Sequence, residues 1–256
     1  MLRTECYMCS EDADSREHVP PRNLFPESKD VGGRNFRSNL ITVPSCSAHN
    51  SGKSSDDEFL MVSLAGIIGN NSIGYSHKFG KVDRAIKRSS GRLLEKVLIK
   101  NRQIQTIKLE SNNFINVIWG TPDIARLNKC FEHIARGLYF HHFQLRFNGE
   151  VRINVGYLKL DNPLKANFQS FLYDRLELDL AGKPILGDNK DIFYYQLTDP
   201  DKFGLISIKM CFYGGLNVFA ALIPTGVALP PNPVTDLMKA GIKTIITLGD
   251  KKYEVS

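Results

Sequence analysis

Hydrophobic and polar positions change their pattern near residue 55 of the 256-residue chain. Before this point the chain is polar, rich in Ser, Pro, Asn and Gly, and has little apolar periodicity. We therefore expect it to bury little core and to need another source of stability. After this point regular patterns begin, so the change predicts a small module over residues 1–55 and a larger region over residues 56–256.

Helical periodicity predicts several helices in the larger region. Ser55 followed by Glu58 has the form of a capping box, in which two side chains satisfy backbone N–H groups at the start of a helix. Thr121-Pro122 places a proline where the first turn of a helix tolerates it. The predicted helices cover residues 56–68, 81–100, 121–143, 163–181 and 232–241, the second either continuous or interrupted at Ser89–Gly91.

Strand-like patterns lie between and after these helices. In one of them, Val151, Ile153 and Val155 alternate on one side, as in a half-buried strand. The predicted strands cover residues 103–109, 114–119, 150–160, 191–197, 204–214, 216–223, 244–249 and 251–255. Together with the helices they predict an α+β body built on a mostly antiparallel sheet.

Charge and composition restrict the function only loosely. The chain has 33 Lys and Arg against 27 Asp and Glu, for a formal net charge of +6. This excess permits a polyanionic partner but does not require one. No apolar run approaches the ~18 residues of a membrane span, and the start lacks the pattern of a secretory signal. We therefore expect a cytoplasmic protein without a membrane partner.

Metal-ligand residues are concentrated near the N-terminus, where three of the five cysteines lie. Cys6-x-x-Cys9 and Cys46-x-x-His49 have the two-by-two spacing that tetrahedral zinc takes. A structural zinc can supply ~10–16 kcal/mol of folding free energy in small modules, which would stabilise a segment with a small core. The alternative is that the four residues lie in a loop without a common ligand.

The segment between these two pairs carries a second set of polar residues. The pieces "CYMC", "EHVPP", "SNLITVPSC", "HNSGKS" and "DDEF" follow one another there in the order and with the gaps of a known family. Over roughly residues 1–58 the chain resembles the HNH endonucleases, which have the ββα-metal fold. The resemblance says little about the rest of the chain.

The resemblance implies roles for the matched positions. His18, on the first strand of a hairpin, would be the general base that activates water. Asn39 would hold the hairpin and help to orient His18, and Asn50 would occupy the third motif position of an HNN variant. Glu17 and Asn50 would hold a catalytic Mg²⁺ or Mn²⁺ ion. Lys53 would lie near the scissile or a neighbouring phosphate.

The chemistry of these residue types agrees with the implied roles, provided that Glu17 and His18 can reach the same site. A histidine with a pKa near 6.5 can accept a proton from water at neutral pH, and Mg²⁺ prefers oxygen ligands. Neighbouring residues of an ideal strand, however, point to opposite sides. Glu17 and His18 could therefore serve one site only if the strand bends, which Pro20-Pro21 makes plausible, or if the ion lies near its edge.

The expected function is metal-dependent hydrolysis of phosphodiester bonds in DNA, and the resemblance is compatible with a mobile-element or anti-phage setting. Residues 56–256 would select or position the substrate, or bind a protein partner or a second copy of the chain. Three alternatives stay open. They are a zinc-stabilised nucleic-acid-binding module without turnover, an RNA-directed nuclease, and an active C-terminal region with a structural N-terminus.

Three further features have an ordinary structural explanation beside a functional one. Cys130-x-x-His133 and His141-His142 could bind a second metal, but they also suit the margins of a packed helix. Lys81, Arg84, Arg88 and Arg92 form a basic stripe that either follows a phosphate backbone or faces solvent. Asp56-Asp57-Glu58 suits the positive end of a helix dipole better than a metal site.

Overall fold

The computed structural model describes residues 5–108, 114–158, 160, 162–227 and 233–255. The chain divides into two compact units, Met1–Arg146 and Phe147–Ser256. Helices and antiparallel strands occur in both, so the predicted α+β class with antiparallel sheets is confirmed. The division predicted near residue 55 lies inside the first unit, and its significance as a separate module stays a prediction.

The first unit begins with a short antiparallel hairpin. Strand β1 (Ser15–His18) pairs with strand β2 (Thr42–Ser45), so that Glu17 lies opposite Val43 and His18 opposite Thr42. A 3-10 turn over Ser51–Lys53 then leads directly into helix α1 (Ser54–Ala65). The order of elements is therefore strand, strand, helix.

The N-terminal segment buries more apolar surface than its composition suggests. Tyr7, Val19, Leu24, Phe25 and Val43 are all buried. These few side chains are spread over a polar sequence, which is why periodicity did not reveal them. The prediction that residues 1–55 bury little core therefore underestimates the apolar surface that they bury.

Helix α1 starts differently from the prediction. Lys53, not Ser55, holds the N-cap position, and no side chain caps the helix. Ser55 lies inside the first turn, where its carbonyl accepts a hydrogen bond of 2.9 Å from Arg126. The capping box is wrong because the preceding 3-10 turn runs straight into the helix and moves its first residue back to Ser54.

Residues 83–88 and 92–97 are helical as predicted, with the interruption at residues 89–91. The connection between these two helices turns at Gly91, whose φ of +83° lies in the left-handed region. A π-helical turn over Lys78–Val82 precedes the first of them. Residues 98–100, however, begin a strand, and a helix over residues 72–77 was not predicted. The bounds are α2 (Ser72–His77), α3 (Asp83–Arg88), α4 (Arg92–Val97) and α5 (Ile124–Phe143).

A second hairpin separates α4 from α5. Strand β3 (Leu98–Lys108) pairs with β4 (Phe114–Pro122), and the pairing extends to Leu98 opposite Pro122. Pro122 thus ends a strand, and the prediction that it opens the helix is wrong. Asp123 caps α5 instead, because its side chain accepts a hydrogen bond of 3.0 Å from the Arg126 N–H.

Close packing joins the first hairpin to α5. Gly137 of α5 faces Val19, and a Cβ atom added at Gly137 would lie 2.6 Å from Val19 Cγ2. Such a distance is shorter than real carbon contacts, so the absence of a side chain at residue 137 allows the approach. The hairpin therefore lies against α5 without an intervening side chain at this point.

The second unit contains the predicted antiparallel sheet, in the order β5-β8-β7-β6. Its strands are β5 (Gly149–Val155), β6 (Phe193–Leu197), β7 (Ile206–Phe212) and β8 (Leu216–Pro224). Helices α6 (Pro163–Asp179) and α7 (Pro233–Lys239) and a hairpin of β9 (Thr244–Leu248) with β10 (Lys251–Val255) complete it. In the described parts of both units, no helix combines the length and apolar character needed to span a membrane.

Candidate metal centre and adjoining carboxylate site

Four predicted metal ligands converge before β1 and after β2. One ligand atom from each of Cys6, Cys9, Cys46 and His49 lies within 4.8 Å of the other three. The Cys46, Cys9 and Cys6 sulfurs lie 3.2, 3.5 and 3.7 Å from His49 Nδ1. The Cys9 and Cys46 sulfurs are 3.8 Å apart.

These distances fit a tetrahedral ion. With Zn–S near 2.3 Å and Zn–N near 2.0–2.1 Å, a tetrahedral centre separates two sulfurs by ~3.8 Å and a sulfur from a nitrogen by ~3.5 Å. The sulfur pair at 3.8 Å is also far from disulfide length. The four residues could therefore hold a metal such as zinc.

Backbone hydrogen bonds explain why the second pair of ligands lies close together. The N–H groups of His49 and Asn50 both donate to the Cys46 carbonyl at 3.0 Å, which closes a tight turn. The Tyr7 N–H donates to the Pro44 carbonyl at 3.0 Å. This bond ties the first knuckle to β2, so both knuckles are fixed to one hairpin.

A buried group of charges lies next to this centre. Glu17 on β1 is 3% exposed, and its Oε1 forms an ion pair with Lys53. Lys53 Nζ is also 3.0 Å from Asp57 Oδ1. The second Glu17 oxygen, Oε2, is buried and has no hydrogen-bond partner in the described part of the chain. One ammonium thus lies between two carboxylates, and one carboxylate oxygen is left over.

Burial and ion pairing have opposite effects on the pKa values of this group. Burial raises the pKa of Glu17 to about 7, although the Lys53 ammonium works in the other direction. Burial likewise raises the pKa of Asp57. Burial disfavours the charged form of Lys53, but Asp57 and Glu17 together hold its pKa above the usual value. Lys53 therefore keeps its charge, while the site resists ionising both carboxylates at once.

Tyr7 adds a neutral polar group to the same surroundings. Its hydroxyl is buried and has no hydrogen-bond partner among the described residues. Burial raises the pKa of Tyr7 well above its usual range, and the Glu17 charge adds to the effect. Tyr7 therefore stays protonated, and its neutral hydroxyl can donate or accept a hydrogen bond near Glu17.

His18 follows Glu17 on β1 but has a different environment. Glu17 is buried, whereas His18 is half-buried, as expected for neighbours on a regular strand. Burial lowers the pKa of His18, and nearby Arg22 lowers it further. The imidazole is therefore mainly neutral at pH 7, which is the form that can accept a proton.

The two motif asparagines differ in how closely they join this site. The Asn50 amide nitrogen donates to Ser15 Oγ at 3.0 Å and to the Arg16 carbonyl at 3.3 Å. Asn50 thus ties the turn after β2 back to β1. Asn39 is exposed, lies before β2 and has a φ of +53°. Asn is one of the residues that tolerate this region, and its expected role in orienting His18 stays a prediction.

Sequence reasoning missed Asp57 and Tyr7 as members of this group. The pattern Asp56-Asp57-Glu58 predicts a helix-dipole role for Asp57, yet Asp57 lies four residues after Lys53, the spacing at which helical charges meet. Asp56 instead pairs with Arg126 at 2.8 Å. Only the i,i+4 relation between Lys53 and Asp57 could have revealed the ion pair from sequence.

The Cys and His residues of α5 behave mostly as packing residues. Cys130 is buried, its thiol donates to the Asp56 carbonyl at 3.7 Å, and burial raises its pKa to about 12. The His133 ring packs edge-on against the His49 ring, with centroids 6.4 Å apart. Within the described ranges, the metal-ligand cluster is the N-terminal group, so Cys130 and His133 do not form a second one.

Comparison with models of protein families, with curated proteins and with solved structures finds no match to this chain. The site must therefore be interpreted from its own residues.

Proposed function

We propose that the chain is a metal-dependent endonuclease of the HNH type, which hydrolyses phosphodiester bonds in DNA. The proposal is carried by two adjacent groups on β1. Because β1 pairs with β2 in unbroken register, these two groups would serve one site through an ion at the edge of the strand. Glu17 is a buried carboxylate with an unpartnered oxygen, and the adjacent His18 has a lowered pKa. The convergence of four metal-ligand atoms around the same hairpin supports it.

Zinc at Cys6, Cys9, Cys46 and His49 would have a structural role. It would join the knuckle before β1 to the turn after β2, and this turn carries Asn50. With four protein ligands the ion has no open position for substrate, as is typical of structural zinc sites. Hydrolysis would therefore depend on the neighbouring polar groups.

His18 would accept a proton from the attacking water. Its neutral form at pH 7 suits this role, and its half-buried position leaves part of the ring accessible. General-base assistance typically contributes ~10²–10⁴-fold in rate. The remaining rate enhancement would come from positive charge near the phosphate.

Glu17 and Asn50 are the residues that would hold a catalytic Mg²⁺ or Mn²⁺ ion. The buried, unpartnered Oε2 of Glu17 is an atom that a cation would satisfy. The Asn50 amide nitrogen is used in bonds to β1, which leaves its carbonyl oxygen as a donor to the ion. When bound, such an ion stabilises charge on the phosphate and the leaving oxygen.

Lys53 supports the proposal as a positioning residue. Its ammonium holds Oε1 of Glu17 and is itself held by Asp57. Its expected contact with a phosphate stays a prediction, because the side chain is buried between these carboxylates.

A zinc-stabilised nucleic-acid-binding module without turnover is the second candidate. The observation in its favour is the ion pair of Glu17 with Lys53, which gives the carboxylate a cation from the chain itself. Both candidates share the zinc centre, so only a measurement of turnover separates them.

The test is cleavage of supercoiled plasmid by the pure, zinc-loaded protein. Mg²⁺ should be omitted in one arm rather than removed only with EDTA, because EDTA would also compete for zinc. We expect nicked or linear DNA with wild type and Mg²⁺, and a rate at least ~10²-fold lower for His18→Ala. His141→Ala, which changes an exposed histidine of α5, is the matched control and should cleave normally.

The outcomes distinguish the candidate functions, the substrate class and the role of His18. Cleavage that is lost in His18→Ala at unchanged zinc content would establish the nuclease. DNA binding without cleavage would favour the module without turnover. Cleavage of a matched RNA in preference to DNA would change the substrate class. Equal cleavage by wild type and His18→Ala would reject His18 as the base.

A further inference from the structure

Basic side chains of residues 81–92 are not equivalent in the structure. Arg84 Nη1 and Nη2 lie 2.7 and 2.9 Å from the two Asp30 carboxylate oxygens, and Nη2 lies 3.1 Å from Glu27 Oε2. Lys87 pairs with Asp83 at 2.8 Å. The charges of Arg84 and Lys87 are therefore matched by neighbouring carboxylates.

Lys81 and Arg88 differ from these two residues. In the described part of the chain neither forms an ion pair, and both line one groove of about 430 Å³. Asn23, from the 3-10 turn after β1, and Ser55, from the start of α1, line it as well. The groove thus connects the hairpin, α1 and α3 within the first unit.

Further positive charge surrounds Lys81. Burial lowers the pKa of Lys81 to about 8, and Arg37 and Arg22 lower it further. The nearby carboxylates of Glu27 and Asp30 oppose this effect, but both already bind Arg84. The cations around Lys81 are therefore crowded and incompletely matched, a situation that a bound anion would relieve.

Arg22 adjoins the groove in sequence, because the next residue, Asn23, lines it. Arg22 is exposed and follows His18 by four residues, in the 3-10 turn that also supplies Asn23. Arg22 lies near enough to act on the charge of His18. Arg22 is therefore the basic residue that could join a phosphate chain in the groove to the surroundings of His18.

We propose that this groove binds the phosphate backbone of a nucleic acid, with Lys81 and Arg88 contacting phosphates and Arg22 leading the strand to His18. The nature of the ligand rests on the proposed function. Glu58 also lines the groove. The net charge of the charged lining residues is therefore +1, from the two bases Lys81 and Arg88 and the one acid Glu58. Binding should accordingly be moderate and strongly dependent on salt.

Two neighbouring residues of α3 provide a matched test. Arg88→Gln and Lys87→Gln each remove one positive charge, from the groove and from a surface ion pair respectively. Lys81→Gln and the double variant Lys81→Gln/Arg88→Gln complete the set. All are made in the His18→Ala protein, so that binding of a short DNA duplex is measured without turnover over a series of salt concentrations.

We expect each groove substitution to lower the slope of log affinity against log salt by about 0.9 for duplex DNA, and the double variant by about twice this amount. Lys87→Gln should leave the slope unchanged. Zinc content and thermal unfolding of every variant are measured in parallel, so that a folding defect is not mistaken for a binding defect.

The groove variants are also made with His18 intact and assayed for plasmid cleavage, which separates this inference from the proposed function. Reduced slopes with cleavage in the wild type support both. Reduced slopes without any cleavage support the groove and reject the nuclease. Unchanged slopes in a protein that cleaves reject the groove alone. Absence of binding at low salt, or an equal effect of Lys87→Gln, overturns the groove.

Discussion

The hairpin region of the first unit and the sheet of the second unit are stabilised in different ways. Around β1 and β2 the structure concentrates metal ligands and buried charges. In the sheet, β7 and β8 bury alternating apolar side chains such as Ile208, Met210 and Val218. The buried polar and charged residues described for this chain, among them Glu17, Lys53 and His77, all lie in the first unit.

The two kinds of stabilisation differ in how far they depend on specific partners. Apolar burial is non-directional and tolerates change if volume is kept. A buried charge or a metal ligand, in contrast, depends on a specific partner, and losing one partner leaves the other unsatisfied. The first unit should therefore respond sharply to metal, charge and pH, and the second unit should not.

Removal of a zinc ligand should give the largest difference in stability between the first and the second unit. We expect Cys46→Ser, or a zinc chelator, to destabilise the first unit by more than about 5 kcal/mol, because structural zinc contributes ~10–16 kcal/mol in small modules. Hydrogen exchange should rise in residues 15–18 and 42–45 and stay slow in β7 and β8. Cys130→Ser, which changes a buried cysteine outside the cluster, is the control. Equal loss of protection in both units would contradict the separation.

Loss of the buried ammonium should have the next largest effect. Lys53→Met leaves Glu17 and Asp57 without their cation, and we expect a loss of about 3–5 kcal/mol in the free energy of unfolding at pH 7. The loss should shrink at lower pH, because protonation relieves carboxylates whose pKa values are raised. Urea unfolding of the zinc-saturated protein measures this change.

Lys87→Met is the surface control for that experiment, since the Lys87–Asp83 pair has the same i,i+4 spacing but is exposed. Its cost should stay below about 1 kcal/mol. A similar loss in the free energy of unfolding for both variants would show that the buried ion pairs stabilise the fold no more than the exposed pair does.

Acidification should give the smallest of the three effects. Burial lowers the pKa of His77 to about 4, so the folded state resists protonation while the unfolded state takes up a proton near pH 6.5. The stability that neutral His77 provides is complete above pH 6.5 and is lost as the pH falls toward 4. From pH 7 to pH 5 we expect a loss of about 1–2 kcal/mol in the free energy of unfolding.

His77→Gln removes the titrating group but keeps an N–H donor for the Asn23 carbonyl that His77 Nε2 contacts at 3.1 Å. The difference between wild type and this variant, measured by urea unfolding at each pH, isolates His77 from other groups. Identical pH profiles for the two proteins would exclude it as the source of acid sensitivity.

Several elements of this fold could be predicted from short patterns in the sequence. The strands of the second unit follow from alternation, and the interruption near Gly91 follows from Ser-Ser-Gly. The metal-ligand cluster follows from two matched spacings. The starts of α1 and α5 were wrong, because the turn before Ser54 and the pairing of Pro122 with Leu98 override the local capping preference.

The candidate site was harder to predict because its charges pair over long distances in sequence. Glu17 and Lys53 lie on different elements, and so do Arg84 and Asp30. Spacing along the chain carries no information about such pairs. A stripe such as Lys81 to Arg92 therefore shows which residues are basic, but only the three-dimensional structure shows which of them lack a carboxylate.

The contact of Gly137 with Val19 has a consequence for evolutionary comparison. A glycine inside a helix costs roughly 1 kcal/mol relative to alanine, so drift would be expected to replace it where space permits. Here the space is taken by the β-branched side chain of Val19, the residue that follows β1. The two positions should therefore covary in any set of homologous sequences, and this pair would mark the docking of hairpin on helix even where overall similarity has faded.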